Sequence, residues 1–207
     1  MNNNLHISYR INGDDEIIFV NDNWSQFALA NDAPEFVAEK VLNRGLWEFI
    51  TDDTTIELYR DLVAKARSAR EINFNFRCDS PDARRLLRMT INLLENDSVQ
   101  FDTRTIWTEK RNPQNVLQKD VPPSDDILLV CSWCKKIDVQ NGDWQEIEEA
   151  ISNLGLFELD NFPQLSHGMC LACYQTITES HQNRFGLKPA QSKLATSNFS
   201  KHLIQPD

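Results

Sequence analysis

The sequence predicts an α+β fold in two parts: an antiparallel sheet with helices, and a smaller C-terminal module that needs a metal to stand. Three observations lead there. The first half alternates short apolar strands with helical stripes and closes on strand-like segments. A stretch rich in proline and charge follows it. Near the C-terminus stand two C-x-x-C pairs, Cys131-Ser132-Trp133-Cys134 and Cys170-Leu171-Ala172-Cys173.

Residues 7–107 read as one α+β domain. Ile17-Ile18-Phe19-Val20 predicts a short buried strand. Asn21-Asp22-Asn23 stops it and offers caps to a helix near Trp24, because Asn and Asp side chains bond free helical N–H groups. Trp24, Phe27 and Ala28 share a face of that helix. Pro34 permits a second short helix through Lys40. After the apolar segment Gly45 to Ile50, Asp52 or Asp53 caps a longer helix through about Ser68. Its inner stripe is Ile56, Tyr59, Leu62, Val63 and Ala66. Alternation at Ile72, Phe74 and Phe76 predicts a half-buried strand. Leu86 to Leu94 and Ser98 to Trp107 predict two more, separated by Glu95-Asn96-Asp97.

Residues 108–126 contain Lys110, Arg111, Pro113, Pro122 and Pro123 and read as a linker. Residues 127–181 form the module. Asn141-Gly142 suits a hairpin. Asp143 and Glu146 resemble a capping box, which predicts a helix with Trp144, Ile147, Ile151 and Leu154 inside and Gly155 at its end. Cys170 and Cys173 fall at the start of a last helix, running to about His181. Residues 182–207 are polar and predict a disordered tail.

Each C-x-x-C pair lets two thiolates bind one ion. Zinc suits four thiolates better than iron, since it has no redox chemistry and accepts simple four-coordination. Cys131, Cys134, Cys170 and Cys173 are therefore the expected metal ligands. His167 is an alternative ligand, or a donor to a metal sulfur. Lys135 and Lys136 either offset the charge of a tetrathiolate or are simply solvated. Four thiolates leave no site for water, which argues against a catalytic zinc. Cys78 is the fifth cysteine and reads as an ordinary thiol before a turn.

The charge of -10 at pH 7, from 21 basic and 31 acidic residues, makes nucleic acid and anionic lipid poor default partners. The N-terminus lacks signal-peptide character, and no apolar run reaches membrane-spanning length. A cytoplasmic protein is expected, and a reducing compartment favours metal over disulfides. No nucleophile elbow, Walker loop, dinucleotide fingerprint or H-E-x-x-H motif occurs, so no enzyme is expected. Trp24, Trp47, Tyr59 and Phe76 suit core packing better than a ligand pocket.

The order of elements in residues 7–107 resembles a PAS domain: a strand, several short helices, one longer helix, then three antiparallel strands. Ile17 to Ala28 resembles the PAS opening, and Gly45 to Ile50 the segment before the long PAS helix. Another α+β fold with a curved sheet is the alternative. A flavin-type N-C-R-F-L motif is absent, and no His lies between residues 7 and 166 to bind haem. Cys131 to Ile137, Gly142 to Ile151 and Ser166 to Cys173 resemble a small module appended to bacterial PAS-containing signalling proteins, with treble-clef-like character. The resemblance implies a sensor or dimerisation domain, with a possible small-molecule ligand or homodimer. It also implies a structural zinc module that docks a signalling partner. Two other readings stay open. One is a redox-responsive regulator whose C-x-x-C pairs release zinc and form disulfides. The other is a nucleic-acid-binding zinc module.

Overall fold

A computed structural model describes residues 6–68, 71–114, 123–140, 142–156 and 162–182. The chain divides into two compact units, Met1–Ser80 with Arg84–Lys110, and Pro81–Ala83 with Arg111–Asp207. The tail expected to be disordered lies, from residue 183 onward, outside the described residues. So do residues 115–122 of the expected linker; strands occupy both of its ends.

The first unit is built on a five-stranded antiparallel sheet. Its strands are β1 (His6–Ile11), β2 (Ile17–Val20), β3 (Ile72–Arg77), β4 (Ala83–Leu93) and β5 (Val99–Lys110), in the order β2-β1-β5-β4-β3. Between β2 and β3 come α1 (Asn23–Ala30), a 3-10 turn at Pro34–Phe36, α2 (Ala38–Val41), a 3-10 turn at Leu46–Phe49 and α3 (Asp53–Arg67). The pleat sends alternate side chains to one face, and Ile7, Tyr9 and Ile11 on β1 are buried with Val99 and Phe101 on β5. Tyr9 stacks on Phe101 with ring centroids 4.4 Å apart. On α3, Leu58, Leu62, Val63 and Ala66 are buried, with Leu62 fully so. Leu58 thus joins the expected stripe, while Ile56 and Tyr59 are only half-buried. Asp52 caps α3 as expected, accepting from the Thr55 N–H at 2.8 Å.

Three local readings need correction. β2 is not a buried strand: Ile17 is covered, but Ile18 and Phe19 are 41% and 40% exposed. β2 is an edge, and Phe19 lies under the Arg10 guanidinium instead, 5.3 Å from ring centroid to charge. The asparagines before α1 do not cap it. Both Asn21 and Asn23 donate their side-chain amides to the His6 carbonyl, and Asp22 makes no side-chain cap. The helix after Pro34 breaks at Val37, whose backbone is extended.

The aromatic residues are held by specific partners. Trp24 donates its indole N–H to the Phe36 carbonyl, and Trp47 donates to Asp15 at 2.8 Å. Tyr59 meets Phe74 edge-on with centroids 6.2 Å apart, and Phe74 also contacts Phe76. These contacts account for all four as packing elements.

The second unit contains a four-stranded sheet of β6 (Pro123–Cys131), β7 (Ile137–Gln140), β8 (Asp143–Gln145) and β9 (Phe162–Gly168), ordered β8-β7-β6-β9. β9 runs parallel to β6, so a crossover is needed, and α4 (Ile147–Asn153) lies within it. Leu128, Val130, Ile137 and Val139 pack against Ile147, Ala150, Ile151 and Leu156 to form this unit's core. The last element is α5 (Leu171–Gln182).

The expected capping box at Asp143 is not formed. Asp143 to Gln145 extend into β8, with Trp144 opposite Asp138, and α4 starts three residues later than the capping-box reading placed it. The hairpin reading won locally: Gly142 donates its N–H to the buried Asp138 carboxylate at 3.0 Å, and that bond closes the turn. Gly155 ends the helical segment as expected. Its φ of +64 is a conformation that side chains with a Cβ resist.

Candidate metal centre

Parallel pairing brings the two C-x-x-C motifs together. The β6–β9 register places Cys131, the last residue of β6, opposite Gly168, the last residue of β9. The chain then turns sharply after each strand. After Cys131, the Lys135 N–H returns to the Cys131 carbonyl at 3.0 Å, and the Cys131 N–H reaches the Lys136 carbonyl at 2.8 Å. This closes a knuckle. Lys135 sits at φ +62 within it, and its ammonium donates to the Ser132 carbonyl at 2.9 Å. The Ser132 N–H bonds the Gly168 carbonyl at 2.7 Å, which ties the knuckle to β9. Gly168 has no room for more: a Cβ there would meet the Leu129 Cδ1 at 3.0 Å. After β9, Cys170 precedes α5 and Cys173 lies in its first turn, where the positive end of the helix favours thiolate.

The four sulfurs all lie within 4.8 Å of one another. Cys134 Sγ and Cys170 Sγ are 3.8 Å apart. Four sulfurs at about 2.3 Å from a central zinc would form a tetrahedron with edges of about 3.8 Å. No disulfide joins the cysteines. Cys131 and Cys170 are buried, whereas Cys134 and Cys173 are half-buried. Trp133, Met169 and Ile177 are also buried, adding apolar cover in the same segments.

The electrostatics of the cluster call for a cation. Hydrogen bonds from the thiols of Cys134, Cys170 and Cys173 hold the Cys131 thiol far below its ordinary range. Bonding to Cys131 pushes Cys134 and Cys173 up. Bonding to Cys131 also raises Cys170, but bonds from Cys134 and Cys173 outweigh that and leave it lowered to about 7, so the two first cysteines favour thiolate while the two second ones are opposed. A divalent ion at the centre removes that opposition, so four ionised sulfurs can coexist. The donor set fits a metal of the soft, tetrahedral kind.

His167 stands on β9 opposite Val130, is exposed, and is not among the four residues whose donor atoms converge. Cys78 lies far along the chain in the first unit, where its N–H bonds the Arg85 carbonyl at 3.0 Å. Sequence reasoning missed the supports of the site: the Ser132 N–H, the Gly168 carbonyl and the left-handed Lys135. The glycine beside His167 was the visible trace of the second. No protein-family model matches the chain, and no curated protein is found to match it.

Proposed function

We propose that this chain is a non-enzymatic signalling protein with a PAS-like sensor or dimerisation unit and a zinc-stabilised docking module. The convergence of Cys131, Cys134, Cys170 and Cys173 within 4.8 Å carries the zinc reading. Four thiolates complete a tetrahedral coordination sphere, which suits a structural ion whose role is to hold the knuckle, β9 and α5 in one rigid surface. The PAS reading is supported by the order of elements: strands, short helices, the long α3, then β3, β4 and β5. In this reading a small ligand or a second copy acts on the N-terminal unit, and the zinc module presents a fixed face to another signalling protein in the cytoplasm. Among the described residues no helix is long and apolar enough to cross a membrane. The net charge of -10 weighs against a nucleic-acid partner.

Native mass spectrometry on protein purified without added metal tests this in one measurement. One zinc per chain is expected, and the same spectrum reports a retained small molecule and the oligomeric state. A folded chain free of metal would overturn the zinc reading.

A further inference from the structure

The cluster has two unlike sides. Within each C-x-x-C pair the first cysteine is buried: Cys131 is 0% exposed and Cys170 is 4% exposed. Their sulfurs also receive backbone N–H bonds. The Cys170 N–H points to Cys131 Sγ at 3.4 Å, and the Cys134 N–H bonds the same sulfur. The Cys173 N–H points to Cys170 Sγ at 3.4 Å. The second cysteine of each pair differs in both respects. Cys134 and Cys173 are half-exposed, and among the described residues no backbone N–H reaches either sulfur. Leu171 and Ala172, which lie between the two cysteines of the second pair, are exposed, and Cys173 follows them in the first turn of α5.

A hydrogen bond to a thiolate draws charge from the sulfur and must weaken before that sulfur can attack. The sulfurs without such bonds keep more of their charge, and they belong to the two partly exposed cysteines of the cluster. We infer that Cys134 and Cys173 form a modification site for small thiol-directed electrophiles, and that their modification releases the metal. This rests on the zinc reading above. With an activated alkene, the thiolate adds to one alkene carbon, a sulfur–carbon bond forms, and the other carbon takes a proton from water. The product is a neutral thioether. It is a far weaker zinc ligand than a thiolate, so the ion is left with three anionic donors and is lost to a chelator.

The experiment treats full-length, zinc-loaded protein with substoichiometric N-ethylmaleimide beside a zinc-sensitive dye. Metal content is measured at the outset, and adducts are mapped by peptide mass spectrometry over time. Cys78 serves as the ordinary thiol in the same sample. Adducts on Cys134 and Cys173 should accumulate about ten-fold faster than those on Cys131 and Cys170, the difference that a hydrogen bond to a charged sulfur makes in rate. Zinc release should track the first of them. In guanidinium with chelator, the four rates should converge. First adducts on Cys131 or Cys170, or equal rates in the folded protein, would overturn the proposal with the zinc reading intact. Protein that holds no zinc at the outset would overturn the zinc reading, and the proposal with it.

Discussion

The two units keep their shape by different means. In the first, a five-stranded sheet is covered by a fifteen-residue helix, and Ile11, Leu62, Ile91, Val99 and Phe101 are fully buried. In the second, a four-stranded sheet packs against the seven-residue α4 and Leu156, and four thiols crowd into one corner. A core of that size is marginal alone. In the zinc reading proposed above, ligation would add to the small apolar core of the second unit what more extensive burial supplies in the first. The lesson is that one chain can hold one unit whose stability is spread over many contacts and another whose stability is concentrated at a point.

The sharpest way to break that contrast is Cys170→Ser. Structural zinc supplies on the order of 10 kcal/mol, so the substitution should unfold residues 123–182 and leave the first unit intact. Proton–nitrogen NMR would show signals of the second unit collapsing to random-coil positions while the rest stay dispersed. Collapse of both sets together would show that the units are not independent.

Leu62→Ala is the converse. Removing a fully buried leucine should cost about 2–5 kcal/mol, and the loss should fall on the first unit. Zinc content by elemental analysis should stay unchanged while thermal unfolding of the first unit moves to lower temperature.

Gly168→Ala probes the second unit without touching a ligand. The new methyl would press on Leu129 at 3.0 Å, and overpacking of this kind costs about 1–3 kcal/mol. The expected readout is faster zinc transfer to a competing chelator, with Gly155→Ala as a control that strains the backbone away from the metal.

Asp52→Ala removes the cap of α3. A loss of about 1 kcal/mol is expected in urea unfolding of the first unit, with no change in metal affinity.

The smallest effect concerns pH. A hydrogen bond from Arg44, aided by the Gly45 N–H, holds the Glu48 carboxyl below its ordinary value. A depressed carboxyl stabilises the fold above its unfolded pKa and loses that contribution as pH falls through its folded pKa. Glu48→Gln should therefore flatten the acid side of the stability curve slightly, and a curve identical to wild type would show the bond to be silent.

Local signals were readable in the sequence where one short stretch decides the outcome. Asp52 announces α3 because its carboxylate needs only an N–H three residues away. The alternation of Ile72, Phe74 and Phe76 announces β3, and the cysteine spacing announces the site. What was hidden depends on partners distant in the chain. Trp144 reads as helical beside Asp143 and Glu146, yet it pairs with Asp138 across β7, and that pairing overrode the capping pattern. β9 carries Pro163 and no clear alternation, so nothing local marks it as a strand; its hydrogen bonds to β6 do. β1 went unread for a similar reason, since its neighbours are β2 and the distant β5.

The parallel pairing of β6 and β9 also has a consequence for synthesis. Cys134 and Cys170 are 36 residues apart. At about 5–20 residues per second, a growing chain presents its first C-x-x-C pair for roughly 2–7 s before the second is made. During that interval two thiols stand alone, open to any metal or oxidant in reach. The first unit is already complete by then, so the vulnerable moment in this protein's birth belongs to the cysteines.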